Sequence, residues 1–444
     1  MRTTLLLLSI LFVISTQAQQ DIRLHDIIAD VSPNRIEEDI RRLANFGTRH
    51  TMSETKSESR GIGAARRWIK SEFETISKEC GDCLEVSMQR TMVEGDEKTR
   101  IPIDTEVVNV LAIKRGTKYP NRYVIMAGDI DSRISDPLNY TDDSPGANDN
   151  ASGMAGVIEA ARVLSTYDFE SSILFVGLSG EEQGLYGGKY LAAKAIEEEW
   201  EIFGVLNNDM ISNIEGVDGV VDNRTFRIFS EPTSPKDSER TIRMRRYYGG
   251  EVDGISRQLA RYVHRMVSEY MPEMNPMLVY RLDRFGRGGH HRPFCDQGFA
   301  GIRIMEAHEN YNRQHQDIRT ENGIKYGDVI EGVNFDYAAK LTAVNAINLA
   351  ALAWAPPQPA KVSIGGVVKA STSLKWEKVD GASGYKIYWR DTTSPQWQYS
   401  RELSADITEF TLEGIVIDNF LFGVATIGVN GHESLVVFPN EVMR

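Results

Sequence analysis

The chain has 444 residues, with 63 acidic against 50 basic side chains and a formal net charge of -13. That length leaves room for more than one domain. The acidity disfavours nucleic acid and anionic membrane surfaces as partners.

The chain opens with one arginine, an apolar run from Leu5 to Ile14, and small polar residues to Ala18. This is the pattern of a secretory signal peptide over residues 1–18, cleaved after Ala18. The run is too short to span a bilayer, and no later run is a candidate span. The mature protein is therefore expected to be exported, periplasmic or secreted, without stable membrane insertion. Residues 20 to 77 carry apolar positions at helical spacing. Cys80 and Cys83 in KECGDCLEV lack a second Cys-x-x-Cys pair, so a local disulfide is expected and Cys295 is left as a buried thiol.

From there strand-like and helix-like segments alternate. TEVVNVLAIK, NRYVIMAG, SSILFVGLS, FGVLNND and FAGIRIME read as strands. ASGMAGVIEAARVLSTY, YGGKYLAAKAIEEEW, GEVDGISRQLARYVHRMVSEYM and FDYAAKLTAVNAINLAALAW read as helices. The alternation predicts an α/β fold, a mostly parallel central sheet flanked by helices, over residues 19–354. The polar stretch Ser212 to Gly250 interrupts it, with the basic run RTIRMRRYYGG at its end. It reads either as a lid or substrate-rim excursion or as a solvated insertion. APPQPAKV, residues 355–362, reads as a linker, and residues 363–444 as a small all-β sandwich. LKW, GYKIYWR and FGVATIGVNGHES in that region resemble a fibronectin type III module. No metal-binding or nucleophile constellation occurs there, so its expected role is contact with substrate or another protein, or cover for one face.

Acidic residues collect at the predicted strand ends: Asp129 and Asp131 in GDIDSR, Asp149 in GANDNASG, Glu181 and Glu182 in SGEEQG, and Asp209 in NNDMISN. His315 follows in ENYNRQHQD. Open α/β sheets bind ligands beyond the carboxyl ends of their strands. Taken singly, Asp149 reads as a helix N-cap, Asp209 as a turn residue and His315 as a structural histidine. Together they supply the bridging carboxylate and further ligands that a two-ion site requires. Oxygen donors with one imidazole suit zinc, cobalt or manganese better than magnesium. Adjacent glutamates can divide the work, Glu182 on metal and Glu181 moving protons.

At these residues the chain resembles the M28 zinc aminopeptidases, on GANDNASGMAGVIEAARVL, LSGEEQGLYGGKYLA, NNDMI and the YNRQHQD block, over roughly residues 105 to 350. The resemblance implies two divalent ions, zinc first, with cobalt or manganese able to substitute. It implies Asp149 as the bridging ligand, often followed by a cis peptide, with Asp129, Glu182, Asp209 and His315 as the other ligands. Glu181 is then the general base in hydrolysis of N-terminal peptide bonds. Peptide or protein N-termini are the implied substrates. Two departures stand out. The family's His-x-Asp is here Asp129-Ile130-Asp131, and its Ser-Asp-His-x-Pro-Phe block is here Gly289-His290-His291-Arg292-Pro293-Phe294. A carboxylate in the first position predicts weaker or less zinc-selective binding of the Asp129 ion, while His290 and His291 are expected in the pocket wall. The alternatives are three: a single-zinc glutaminyl cyclase, a carboxypeptidase using the arginines of Arg240 to Arg246 and RLDRFGRGG, and a binding protein that has lost catalysis.

Overall fold

The computed structural model describes residues 20–443, so the signal peptide expected at residues 1–18 lies outside the described residues. Three helices come first, α1 (Ile22–Asp30), α2 (Pro33–Ala44) and α3 (Gly61–Glu79). Asp21 and Ser32 cap α1 and α2 by accepting first-turn N–H groups, and Pro33 opens α2 where no N–H is needed. The chain continues through β1 (Leu84–Val93), β2 (Thr105–Lys114), β3 (Tyr119–Asp129), α4 (Gly153–Leu164), β4 (Ser171–Leu178), α5 (Tyr186–Glu197) and β5 (Glu201–Asn208). Next come β6 (Thr225–Ser230), α6 (Glu239–Tyr248), α7 (Ile255–Tyr270), β7 (Asn275–Val279), α8 (His291–Asp296) and β8 (Gly301–Glu306). A hairpin of β9 (Arg319–Glu321) and β10 (Ile324–Tyr326) precedes α9 (Phe335–Trp354).

Eight strands form the main sheet in the order β1-β2-β4-β3-β5-β8-β6-β7. Its centre, β4-β3-β5-β8, is parallel, and β6 pairs parallel with β7. The antiparallel pairs are β1–β2, β2–β4 and β6–β8. Every residue of β4 is buried, as expected for a strand covered on both faces. Helices α1, α2, α4, α7 and α9 contribute to the larger core, while α5 and α8 pack on the other face. α9 is buried almost all round. That fits a helix whose sequence is apolar on every side rather than striped.

Cys80 and Cys83 form the expected disulfide, joining the end of α3 to the start of β1, and Cys295 is a buried free thiol. Because the bridge closes so short a loop, chain entropy assigns it about 2 kcal/mol. The Cys80→Ala/Cys83→Ala variant is expected to unfold at lower denaturant by that amount with unchanged activity. A loss of several times that, or of activity, would show that the bridge has another role.

The stretch 212–250 departs from its sequence reading. It holds β6, inserted between β8 and β7 in the main sheet, so part of it is core. The basic run forms the exposed helix α6, whose closing Gly249 and Gly250 lie against Leu421 and Phe438 of the C-terminal region.

After α9 the chain forms two small sheets. One contains β11 (Ser363–Gly365), β12 (Thr372–Lys375), β15 (Glu409–Leu412) and β17 (Glu441–Val442); the other contains β13 (Gly384–Asp391), β14 (Tyr399–Ser404) and β16 (Phe420–Ile427). They enclose their own core around Trp376, Tyr385 and Phe422. This region is joined to the helices by buried charge. Asp253, just before α7, accepts from Arg261 of α7 at 2.8 Å and from Arg390 of β13 at 2.8 Å. Glu433 pairs with Arg265 of α7 at 3.2 Å, and Leu435 enters the main core.

Candidate metal centre

Strand order places the site. β3 has β4 on one side and β5 on the other, so successive crossovers leave in opposite directions and open a crevice at the strand ends. Asp129 is the last residue of β3, and Asp209 follows directly on β5. Glu181 and Glu182 lie in the turn between β4 and α5. Asp149 lies in the turn Ala147–Ser152 that leads into α4, and its peptide bond to Asn150 is cis. His315 lies in the loop after β8, with φ of 52°.

Backbone hydrogen bonds fix these turns. The Asp328 carboxylate accepts the N–H groups of Asn148 at 2.9 Å and Asp149 at 2.6 Å. Asp131, which is buried, accepts those of Glu181 at 3.2 Å and Glu182 at 3.0 Å. Asn150 ties three elements together. Its Nδ2 donates to Asp129 Oδ2 and to the Asn208 carbonyl, each at 2.7 Å. Its Oδ1 accepts from the N–H of Met210 at 3.2 Å.

Three of the five expected ligands converge. His315 Nε2 lies 2.9 Å from Asp149 Oδ2 and 2.8 Å from Glu182 Oε1. Among the described residues this is the one group of three His, Cys, Asp or Glu side chains with ligand atoms all within 4.8 Å of one another. Two carboxylates and an imidazole are the donor types zinc takes, with room for water or substrate as the fourth partner. Arg133 lies against the group, its Nε donating to Glu182 Oε2 and its Nη2 close to His315 Nδ1, both at 2.7 Å.

Asp129 and Asp209 are engaged elsewhere. Asp129 Oδ1 is 2.5 Å from His290 Nδ1, so the two positions at which the sequence departs from the family pattern touch each other. Asp209 Oδ2 is 2.9 Å from Nη2 of Arg303, a fully buried residue of β8 that also reaches Asp283 at 3.2 Å. His291 Nε2–H donates to the Leu282 carbonyl, 2.7 Å away, and the residue is fully buried.

The electrostatics follow from burial and crowding. Burial, then Glu182, Asp209, Asp129 and Asp149, hold the Glu181 carboxyl well above its usual range. Burial, then Asp131 and Asp149, raise Asp129. Burial pushes Asp209 up to about 8 against the opposing pull of Arg303. Burial works against His315, but Glu182 and Asp149 outweigh it and raise the imidazole to about 9. Burial lowers His290 to about 4, so its ring is neutral. Carboxylates that raise one another in this way define a place where positive charge is favoured.

Sequence reasoning missed Asn150, Arg303 and Asp328. Asn150 adjoins a recognised aspartate. Arg303 and Asp328 carry no local signal.

The model for peptidase family M28 matches residues 109–329. A protein of Pyrenophora teres f. teres named "Probable zinc metalloprotease" is 40% identical over 425 residues, covering 94% of this chain and 87% of that one. The chain belongs to peptidase family M28. Among solved structures, this M28 peptidase shares its fold with the LapA aminopeptidase of Legionella pneumophila, at TM-score 0.53 and 17% identity over 75% of each chain. It also shares the fold of a glutaminyl cyclase from Macrostomum lignano, at TM-score 0.50 and 16% identity, over 74% of this chain and 91% of that one. As an M28 member the protein is a hydrolase acting on peptide bonds.

Proposed function

We propose that this M28 peptidase is an exported, zinc-dependent aminopeptidase. The observation that carries the reading is the convergence of Asp149, Glu182 and His315 with Glu181 next in sequence to a ligand. Its similarity to proteins named zinc metalloproteases supports zinc as the ion. The leader pattern and the Cys80–Cys83 disulfide support export, because such bridges persist in oxidising compartments.

Asp149, Glu182 and His315 would hold the ion. Zinc held there supplies Lewis acidity toward the scissile carbonyl and lowers the pKa of the attacking water. Glu181 takes the proton from that water as its oxygen bonds to the carbonyl carbon. Glu181 then delivers the proton to the departing amine as the C–N bond breaks, leaving an acid and a free amine. Asp131 holds the Glu181–Glu182 backbone so that one carboxylate serves the ion and the other the proton. The surplus of carboxylates favours a substrate with a free α-ammonium group.

A glutaminyl cyclase is the second reading. It is favoured by the single three-ligand cluster, since that activity needs one ion. Aminoacyl-p-nitroanilides and their N-acetylated forms, tested before and after chelation and zinc replacement, separate the cases. Metal-restored cleavage of free but not acetylated substrates is the expected result. No cleavage, with cyclisation of N-terminal glutamine instead, would replace the aminopeptidase by the cyclase.

A further inference from the structure

We infer that this chain binds one divalent ion tightly, and that the buried Arg303 guanidinium, with the Asp129–His290 pair, takes the place of a second. The inference rests on the reading of Asp149, Glu182 and His315 as the metal centre. Four side chains besides His315 were expected to serve two ions, and two of those four, Asp129 and Asp209, lie outside the three-ligand cluster and are held by His290 and Arg303. Asp209 holds Arg303 at 2.9 Å, and Arg303 has no solvent exposure. A guanidinium cannot lose its charge under any ordinary condition. It therefore sets a permanent positive charge against the carboxylate that a second cation would need.

Asp129 is closed off differently. Its carboxylate reaches less far than an imidazole from the same backbone position, and its two oxygens meet His290 Nδ1 at 2.5 Å and Asn150 Nδ2 at 2.7 Å. The family's histidine on β3 and aspartate before α8 are exchanged here for Asp129 and His290. The exchange keeps a carboxylate–imidazole contact and moves the imidazole off the strand end. Two buried atoms in this layer, Asp209 Oδ1 and His290 Nε2, have no hydrogen-bond partner. Among the described residues they gather no third acidic, histidine or cysteine ligand atom within 4.8 Å, so they do not build a second centre.

The test is zinc stoichiometry and affinity, measured by elemental analysis and chelator competition on the full mature chain. The expected result is one zinc per chain in the wild type and in Asp209→Asn, with affinities within threefold, and none in His315→Ala. Two zinc ions in the wild type, falling to one in Asp209→Asn, would overturn the inference and leave the metal centre standing. No zinc in the wild type would instead overturn the metal centre itself, and the inference with it. If Asp209→Asn does not fold, Asp129→Asn carries the same test: its amide oxygen still accepts from a His290 N–H, its NH2 faces the Asn150 Nδ2 donor, and its fold is checked first by circular dichroism.

Discussion

Glu181→Gln lowers turnover at least ~100-fold while the zinc content stays at the wild-type value. The substitution keeps size and hydrogen bonding but removes the group that accepts a proton. Glu182, the neighbouring ligand, keeps its contacts to His315 at 2.8 Å and Arg133 at 2.7 Å, so the metal centre is undisturbed. The paired control is Glu182→Gln, which is expected to lose zinc as well as activity. Turnover is read from aminoacyl-p-nitroanilide hydrolysis and zinc from elemental analysis of the same samples. If Glu181→Gln kept more than a tenth of wild-type turnover, another group would have to move the proton. If it lost zinc too, the division of labour between the two glutamates would be wrong.

The largest stability effect is expected far from the chemistry, at Asp253→Ala. Asp253, Arg261 and Arg390 have side chains at most 1% exposed, and the one carboxylate pairs with both guanidiniums. Removing it strands two buried cations, and breaking a buried pair costs about 3–5 kcal/mol. Gln258 Nε2, which donates to Asp253 at 3.0 Å, loses its acceptor as well. The expected result is a large fall in the denaturant midpoint with the Tyr388 and Trp397 surroundings disturbed, seen by near-ultraviolet circular dichroism. The combined Asp253→Leu/Arg261→Met/Arg390→Met change should recover much of the loss, because replacing a buried triad by apolar groups of similar volume is far less costly than breaking it. A midpoint unchanged in Asp253→Ala would mean that the C-terminal sheets do not depend on this pair.

These two predictions concern different levels of the molecule, and the sequence informed them unequally. Glu181 was visible because two adjacent carboxylates end a strand-like run, a local signal. Asp253 was not visible. It lies before a helix, where an aspartate has ordinary capping uses, and its partner Arg390 is 137 residues away. The same contrast runs through the fold. β2 and α9 have the limits their apolar patterns predict, because a ten-residue buried strand and a twenty-residue buried helix leave long, unambiguous runs. β6 escaped because it has only six residues, sits in a polar stretch and owes its place to pairing with β7 and β8. Arg227 within it breaks the apolar run, yet it is satisfied by the Glu306 carbonyl at 2.9 Å and by Glu309 at 2.8 Å.

By itself the sequence determined the α/β alternation, the all-β tail, the Cys80–Cys83 bridge and the set of acidic residues from which a metal centre is drawn. Each is written in spacing or in residue type along a short segment, where period and turn chemistry act. Only the tertiary structure decided which of those acids meet. Asp149, Glu182 and His315 converge, while Asp129 turns to His290 and Asp209 to Arg303. The physical reason is that ligand geometry depends on where side chains from separate strand ends point and on what cations lie behind them. Sequence distance carries no record of either: His290 is 161 residues from Asp129, and Arg303 is 94 residues from Asp209.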